Sequence, residues 1–289
     1  EVLMIKFGPS GNSESFFAEG HKSTVEAAKW LKDRNLDVFE YPFGRGVNIG
    51  KSTAAEIGKN FAENGIEVSV HAPYFINFAN PDPEKAENSK RYLLQSLEAL
   101  SALGGERAVF HPGTEGKRPR EEGVELIKRR LKEFVPLKKD AGFENKIICA
   151  ETMGKFAQIG TVEEVAEFCN VDESIYPCVD FGHVNARTLG SLKTAKDYEN
   201  VILYLQNAIG TEKTKRMHVH FSKIMYSAKG EVKHLTFADD VYGPEFEPLA
   251  EVLVKYNLEP VILSESQGTQ AEDAATMKRI YFEKLSKTL

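Results

Sequence analysis

The chain has 289 residues, 42% of them hydrophobic and 28% charged, with a formal net charge of −6. That length and apolar content allow a large core within one domain and argue against disorder, and no apolar run reaches the ~18 residues of a membrane helix. The negative balance gives no general attraction for a polyanion, so binding to nucleic acid would need a local positive field. The three cysteines, Cys149, Cys169 and Cys178, show no Cys-x-x-Cys spacing and are odd in number, which argues against a disulfide framework. No signal-peptide pattern opens the sequence, so a soluble monomer in a reducing cytoplasm is expected.

In chain order, β-rich apolar runs fall at residues 3–7, 38–41, 68–71, 107–111, 147–151, 176–180, 217–221 and 260–265. Amphipathic periodicity predicts helices over 23–32, 53–64, 84–103, 121–139, 162–168, 195–208, 246–256 and 271–285. Strict alternation with near-continuous apolar strands predicts an α/β fold, a parallel sheet covered by helices. Eight units of roughly 36 residues favour closure into a single (β/α)8 TIM barrel domain over an open doubly wound sheet. No Gly-x-Gly-x-x-Gly follows a strand, which weakens a dinucleotide-binding alternative. The charged run KRPREEGVELIKRR, residues 117–130, reads as a solvated helix face.

Barrel enzymes place their chemistry at the C-terminal ends of the strands. The predicted third strand ends at His71, the fourth at His111 and the fifth at Glu151; the sixth ends in CVDFGH with Asp180 and His183, the seventh carries His218 and His220, and the eighth ends at Glu265. A single histidine on an apolar run is usually a hydrogen-bonded core residue, and a lone acid at a strand end is often a helix N-cap. Six consecutive strands ending in His, Glu or Asp are harder to explain that way. Carboxylates and imidazoles would converge on one mouth, where like charges repel and ions lose hydration. Cations resolve the conflict. Imidazole mixed with carboxylate suits Zn²⁺, with Mn²⁺ or Fe²⁺ as alternatives, and the donors exceed what one tetrahedral Zn²⁺ takes. Two or three ions would supply the local positive field and could serve both the attacking and leaving oxygens of phosphoester cleavage.

The stretches VHAPYFINFANPDPEK, HPG, AETMG, CVDFGH and the strand-eight SES carry a resemblance to the endonuclease IV family, the family 2 apurinic/apyrimidinic endonucleases. The resemblance runs from the first strand to the last helix. It implies a zinc-dependent barrel that hydrolyses the phosphodiester 5′ to an abasic site in double-stranded DNA. It further implies that His71, His111 and Glu151 hold a first zinc, that Glu151 bridges to a second held with Asp180, His218 and Glu265, and that His183 and His234 belong to a third. Glu151 would lie beside the attacking oxygen as the catalytic residue. His220 reads as a residue that orients a ligand. The family's third zinc takes an Asp-x-His pair, but Val232 stands two residues before His234, leaving Glu231, Asp239, Asp240 or a water as the substitute, or else a weaker third site.

For the DNA, Tyr74 matches a family residue that enters the duplex, Phe75 falls at an adjacent wedge position, and Arg45 in the short loop FGRGVNIGK is the available groove residue. Lys223, Lys229 and Lys233 border the strand-seven loop and could touch phosphates, and Ser222, Lys155 and Arg187 lie just past ligand strands. Two rivals stand beside this reading. A single-metal sugar isomerase or epimerase of the xylose isomerase-like type would account for Glu151, Asp180, His218 and Glu265 but leaves His71, His111, His183 and His234 without a purpose. A non-catalytic binder of DNA lesions is the other.

Overall fold

The computed structural model describes residues 4–288. Eight barrel strands follow one another: β1 Lys6–Pro9, β2 Val38–Pro42, β3 Glu67–His71, β4 Arg107–Phe110, β5 Ile147–Glu151, β6 Ile175–Asp180, β7 His218–Phe221 and β8 Val261–Ser264. Residue 3, the expected start of the first strand, lies outside the described residues. The hydrogen-bonded order runs β1, β8, β7, β6, β5, β4, β3, β2, and every adjacent pair is parallel. The sheet therefore wraps round until its ends, β1 and β2, meet.

At that seam the ladder is sparse. Asp37 N donates to Phe7 O at 2.8 Å and Gly11 N to Glu40 O at 3.0 Å, with one parallel bridge between Ser10 and Glu40. Gly8 makes the approach possible, because a Cβ there would stand 1.6 Å from Val38 O.

The helices pack outside because their apolar residues recur on one face. Asp82 caps the helix Pro83–Ala102 by accepting from Glu84 N, and Leu93, Leu97 and Leu100, spaced by four and three, are buried beneath it. Thr161 and Glu164 form a capping box that opens Val162–Cys169. Three short helices, Glu14–Ala18, Phe181–Arg187 and Thr211–Lys215, were not among the predicted elements, and the second begins at once after β6. The charged run at 117–130 is not simply a solvated face. Arg130 is buried and donates to Phe78 O at 2.7 Å, while Arg120 ties Phe156 O, Gln158 O and Glu164 together beneath the β5 loop.

Two small additions roof the C-terminal end of the barrel. Gly113–Thr114 pairs with Gln158–Ile159, and Ile224–Ser227 pairs with Gly230–His234 as a hairpin after β7. The three cysteines are free and buried. Among the described residues no helix is long and apolar enough to cross a membrane.

Candidate metal centre at the barrel mouth

Parallel strands that start together end together, so the terminal side chains of β3, β4 and β5 meet. His71 Nε2 and His111 Nε2 lie 3.0 and 3.1 Å from Glu151 Oε2. Backbone carbonyls set both rings: His71 Nδ1 donates to Ala72 O at 2.7 Å and His111 Nδ1 to Tyr74 O at 3.3 Å. The three donors form one potential ligand group.

The second group is Glu151, Asp180, His220 and Glu265. Asp180 divides its oxygens. Oδ1 caps the helix Phe181–Arg187 by accepting from His183 N at 2.7 Å, while Oδ2 is buried without a hydrogen-bond partner, 3.2 Å from a His183 Nδ1 that donates to Thr152 O. The ordinary cap and the candidate ligand are therefore one residue. His220 Nδ1 lies 3.1 Å from Glu151 Oε1 and 3.5 Å from Glu265 Oε1.

Here the expected roles of two histidines are exchanged. His218 and His220 sit two apart on β7 and share its inward face, so both point into the barrel. Two residues along a strand are ~6–7 Å in height. His220 is level with the mouth, whereas His218 lies deeper, its Nε2 donating to Glu40 Oε2 at 2.8 Å. His218 is not in the group that holds Glu265 and Asp180; below the mouth it forms a further, fully buried potential group with Cys178 and His220. Glu40, fully buried on β2, was not singled out from the sequence. It accepts from His218, from His220 Nε2 at 2.7 Å and from Ser69 Oγ at 2.8 Å.

The third group is His183, Glu231 and His234. His183 Nδ1 donates to Thr152 O at 2.9 Å, and its Nε2 faces Glu231 Oε2 at 3.4 Å. His234 Nε2 is 3.9 Å from Glu231 Oε1. Of the acids considered for this position the structure brings in Glu231 alone. A register shift in the hairpin between Met225 and Tyr226 turns Glu231 inward, while Val232 is 50% exposed. Asp239 instead caps a turn, accepting from Val241 N and Tyr242 N.

The candidate DNA contacts divide. Tyr74 is 48% exposed at the rim, and Arg45 Nε donates to its hydroxyl at 2.9 Å. Phe75 is exposed but rests edge-on against Tyr92. Lys223 does not face the mouth. It is buried, donating to Asp239 O at 2.6 Å and pairing with Glu245 at 2.8 Å. Lys229 and Lys233 are exposed on the hairpin. Arg187 is turned away from the mouth to Met153 O and Lys155 O, bracing the β5 loop. That loop carries Lys155, exposed, and Gln158, which line the mouth with Ser10 and Tyr74. Ser10 and Gln158 had no sequence signal beyond their place after a strand.

Burial disfavours charge on all the central groups, yet charge accumulates. Burial works to raise the Glu151 carboxyl, but His220, His111 and His183 outweigh it and hold it well below the usual carboxylate range. Burial likewise opposes a charged His71, but Glu151 pushes it to about 9. Glu265 is driven up to about 8, by burial first and then by Glu151 and Asp180 acting against His220. The cluster is short of positive charge. Protons on imidazoles supply some of it, and divalent cations suit the same oxygen and nitrogen donors better. The orphaned Asp180 Oδ2, the two groups sharing Glu151 and the third group beside them fit such ions. With Glu40 and Glu231 counted beside Glu151, Asp180 and Glu265, three divalent ions would meet five carboxylates, leaving a residual charge of about one.

A family model described as Xylose isomerase-like TIM barrel matches residues 28–280. An uncharacterized protein of Methanocaldococcus jannaschii is 30% identical over 276 residues, 96% of this chain and 97% of that protein. A protein named probable endonuclease 4 from Shouchella clausii is 32% identical over 182 residues, 60% of each chain. Its namesake from Aquifex aeolicus is 28% identical over 216 residues, 70% of this chain and 73% of the relative. Among solved structures, a D-tagatose 3-epimerase-like protein superposes with a TM-score of 0.72 at 23% identity, covering 98% of this chain and 99% of the other. Endonuclease IV from Thermus thermophilus superposes with a TM-score of 0.63 at 21% identity, covering 93% and 96%. At those identities the superpositions show a shared fold. The chain belongs to the Xylose isomerase-like TIM barrel family.

Proposed function

We propose that this protein is a zinc-dependent apurinic/apyrimidinic endonuclease that hydrolyses the phosphodiester 5′ to an abasic site in DNA. The observation that carries the reading is the number of ligand groups. Three of them converge on one mouth, two joined through Glu151 and the third reached through His183 Nδ1, 3.4 Å from Glu151 Oε1. A one-ion centre needs the second group alone and leaves His71, His111, His183, Glu231 and His234 without a purpose. The relatives named probable endonuclease 4 support the same reading.

Bound divalent ions would supply a nucleophilic water near neutral pH and stabilise charge on the phosphate and leaving oxygens. The chain's own residues do the rest. Glu151 presents one oxygen to His71 and His111 and the other to His220, so it holds two ligand groups in a fixed relation. Tyr74 offers an exposed ring at the rim against which an extruded abasic sugar or its neighbouring base can rest, a cheap extrusion because no base is lost from the stack. Lys155 brings a cation to the same rim, within reach of a flanking phosphate. Protein nucleophiles are not needed.

The test is a nicking assay on a duplex with one abasic site, run with and without chelator, beside elemental analysis of the purified protein. Cleavage that disappears with chelator, with two or three ions per chain, supports the proposal. One observation favours a second reading: Glu151, Asp180, His220 and Glu265 by themselves form the two-Glu, one-Asp, one-His set of a single-ion isomerase or epimerase. One ion per chain and no nicking would favour it. Tight binding to the abasic duplex without nicking would point to a lesion binder.

A further inference from the structure

Five imidazoles face the three ligand groups, and four are held alike. His71, His111 and His183 turn Nδ1 to the backbone carbonyls of Ala72, Tyr74 and Thr152, and His234 turns Nδ1 to Ser222 Oγ at 2.7 Å. Each then presents Nε2 to the acids of its group. His220 is inverted. Its Nε2 points away from the mouth to Glu40 Oε1 at 2.7 Å, and its Nδ1 faces Glu151 and Glu265. It is also the one ring of the five whose anchor is a carboxylate.

We infer that Glu40 is a positioning residue for a divalent cation at the second ligand group, acting through His220, which alone of the five imidazoles coordinates through Nδ1. The inference rests on the metal-centre reading above, though not on the identity of the substrate. A neutral imidazole, the form that binds a cation, keeps its lone pair on Nδ1 when it donates Nε2–H to a carboxylate, so Glu40 selects the tautomer as well as the ring orientation. A carboxylate behind a ligand histidine also strengthens it as a donor.

The rest of the Glu40 environment serves this purpose. No lysine or arginine pairs with Glu40 among the described residues; its oxygens are satisfied by His218 Nε2, His220 Nε2 and Ser69 Oγ. A fully buried carboxylate without a charged partner is costly unless its lone pairs are filled. His218 fills the second oxygen, which gives a reason for a fully buried histidine that holds no place in the mouth. The Glu40 backbone is fixed too, because its carbonyl accepts from Gly11 N at the barrel seam. The closure of the barrel and the aim of His220 thus depend on one residue.

The experiment compares the wild-type chain with Glu40→Gln, a nearly isosteric change, by competitive Zn²⁺ titration against a chromophoric chelator. One class of bound ion should weaken about 10–100-fold in the variant while the others keep their affinity. His220→Gln should remove the same class, and adding Glu40→Gln to it should change nothing further. Circular dichroism and thermal melts of the metal-free proteins check folding. Should Glu40→Gln not fold, ¹⁵N-histidine NMR of the zinc-loaded wild type still decides: one ring must be Nε2–H with a coordinated Nδ1. Unchanged affinity in Glu40→Gln, equal weakening of every ion, or coordination of His220 through Nε2 would each overturn the inference. A wild-type chain that binds zinc by this pattern but does not nick DNA would refute the proposed function and leave Glu40 its role, whereas a chain that binds no zinc would end both.

Discussion

Glu231 Oε2 lies 3.4 Å from His183 Nε2, across the gap between the hairpin after β7 and the helix after β6. The contact closes a ligand group that the sequence leaves open at Val232. A glutamate one residue earlier, with one more methylene than aspartate, reaches the same place because the hairpin register shifts beside it. Glu231→Ala is expected to lower the ion count by one per chain and slow nicking by roughly 100-fold or more. Adding Val232→Asp to that variant should restore nothing, since position 232 faces solvent. Elemental analysis and the nicking rate check both statements; rescue by the aspartate would show that the hairpin places the two residues differently.

Glu151 is shared between two groups and is buried. Glu151→Gln keeps the shape but removes the negative charge that two ions would share. Nicking should fall below detection while far-UV circular dichroism remains that of the wild type. Measurable turnover would separate Glu151 from the chemistry.

Ion binding should be visible as proton release. In the ion-free protein His71 is raised to about 9, so at pH 7 it carries a proton that an ion must displace. The sign follows: release on adding Zn²⁺ is present at pH 7 and fades as pH rises through about 9, where the ring is already neutral. Calorimetric titration in buffers of different ionisation enthalpy measures it. Loading should also stabilise the fold by about 2.7 kcal/mol when free ion is 100 times its dissociation constant, a gain that chelator removes in a thermal melt.

The lysines separate by burial. Lys155→Ala should weaken binding to abasic duplex and reduce the slope of log K against log salt by about one, as expected for one lost phosphate contact. Lys223→Ala should leave the slope alone and lower stability, because its ammonium is tied to Asp239 O and Glu245 inside the protein. Filter binding across a salt series, paired with denaturant melts, distinguishes the two.

At the seam between β1 and β2, Gly8→Ala places a methyl group 1.6 Å from Val38 O. Backbone must move for it to fit, and the expected cost exceeds about 3 kcal/mol. A urea midpoint close to the wild type would mean that the seam is looser than its hydrogen bonds imply.

Several features were legible in the linear chain because they depend on local chemistry. Alternating apolar runs and amphipathic stretches specify the eight strands and the helices that cover them. The acids and histidines at strand ends needed only the rule that parallel strands finish at one face. Thus His71, His111, Glu151, Asp180, His183, His234 and Glu265 were named in advance, and each lies in one of the groups that could hold an ion.

Other features depend on relative height and rotation, which no local pattern encodes. His218 and His220 share a face, and only the stagger of neighbouring strands decides which reaches the mouth. Glu40 reads as an ordinary acid near the end of β2 until the barrel closes and brings it under a ring contributed 180 residues later. Lys223 and Glu231 differ little in sequence from other charged loop residues, yet the hairpin buries one and aims the other at His183. Residue type and spacing set which chemistry was available. Closure of the sheet on itself, through contacts distant in sequence, set which atoms meet.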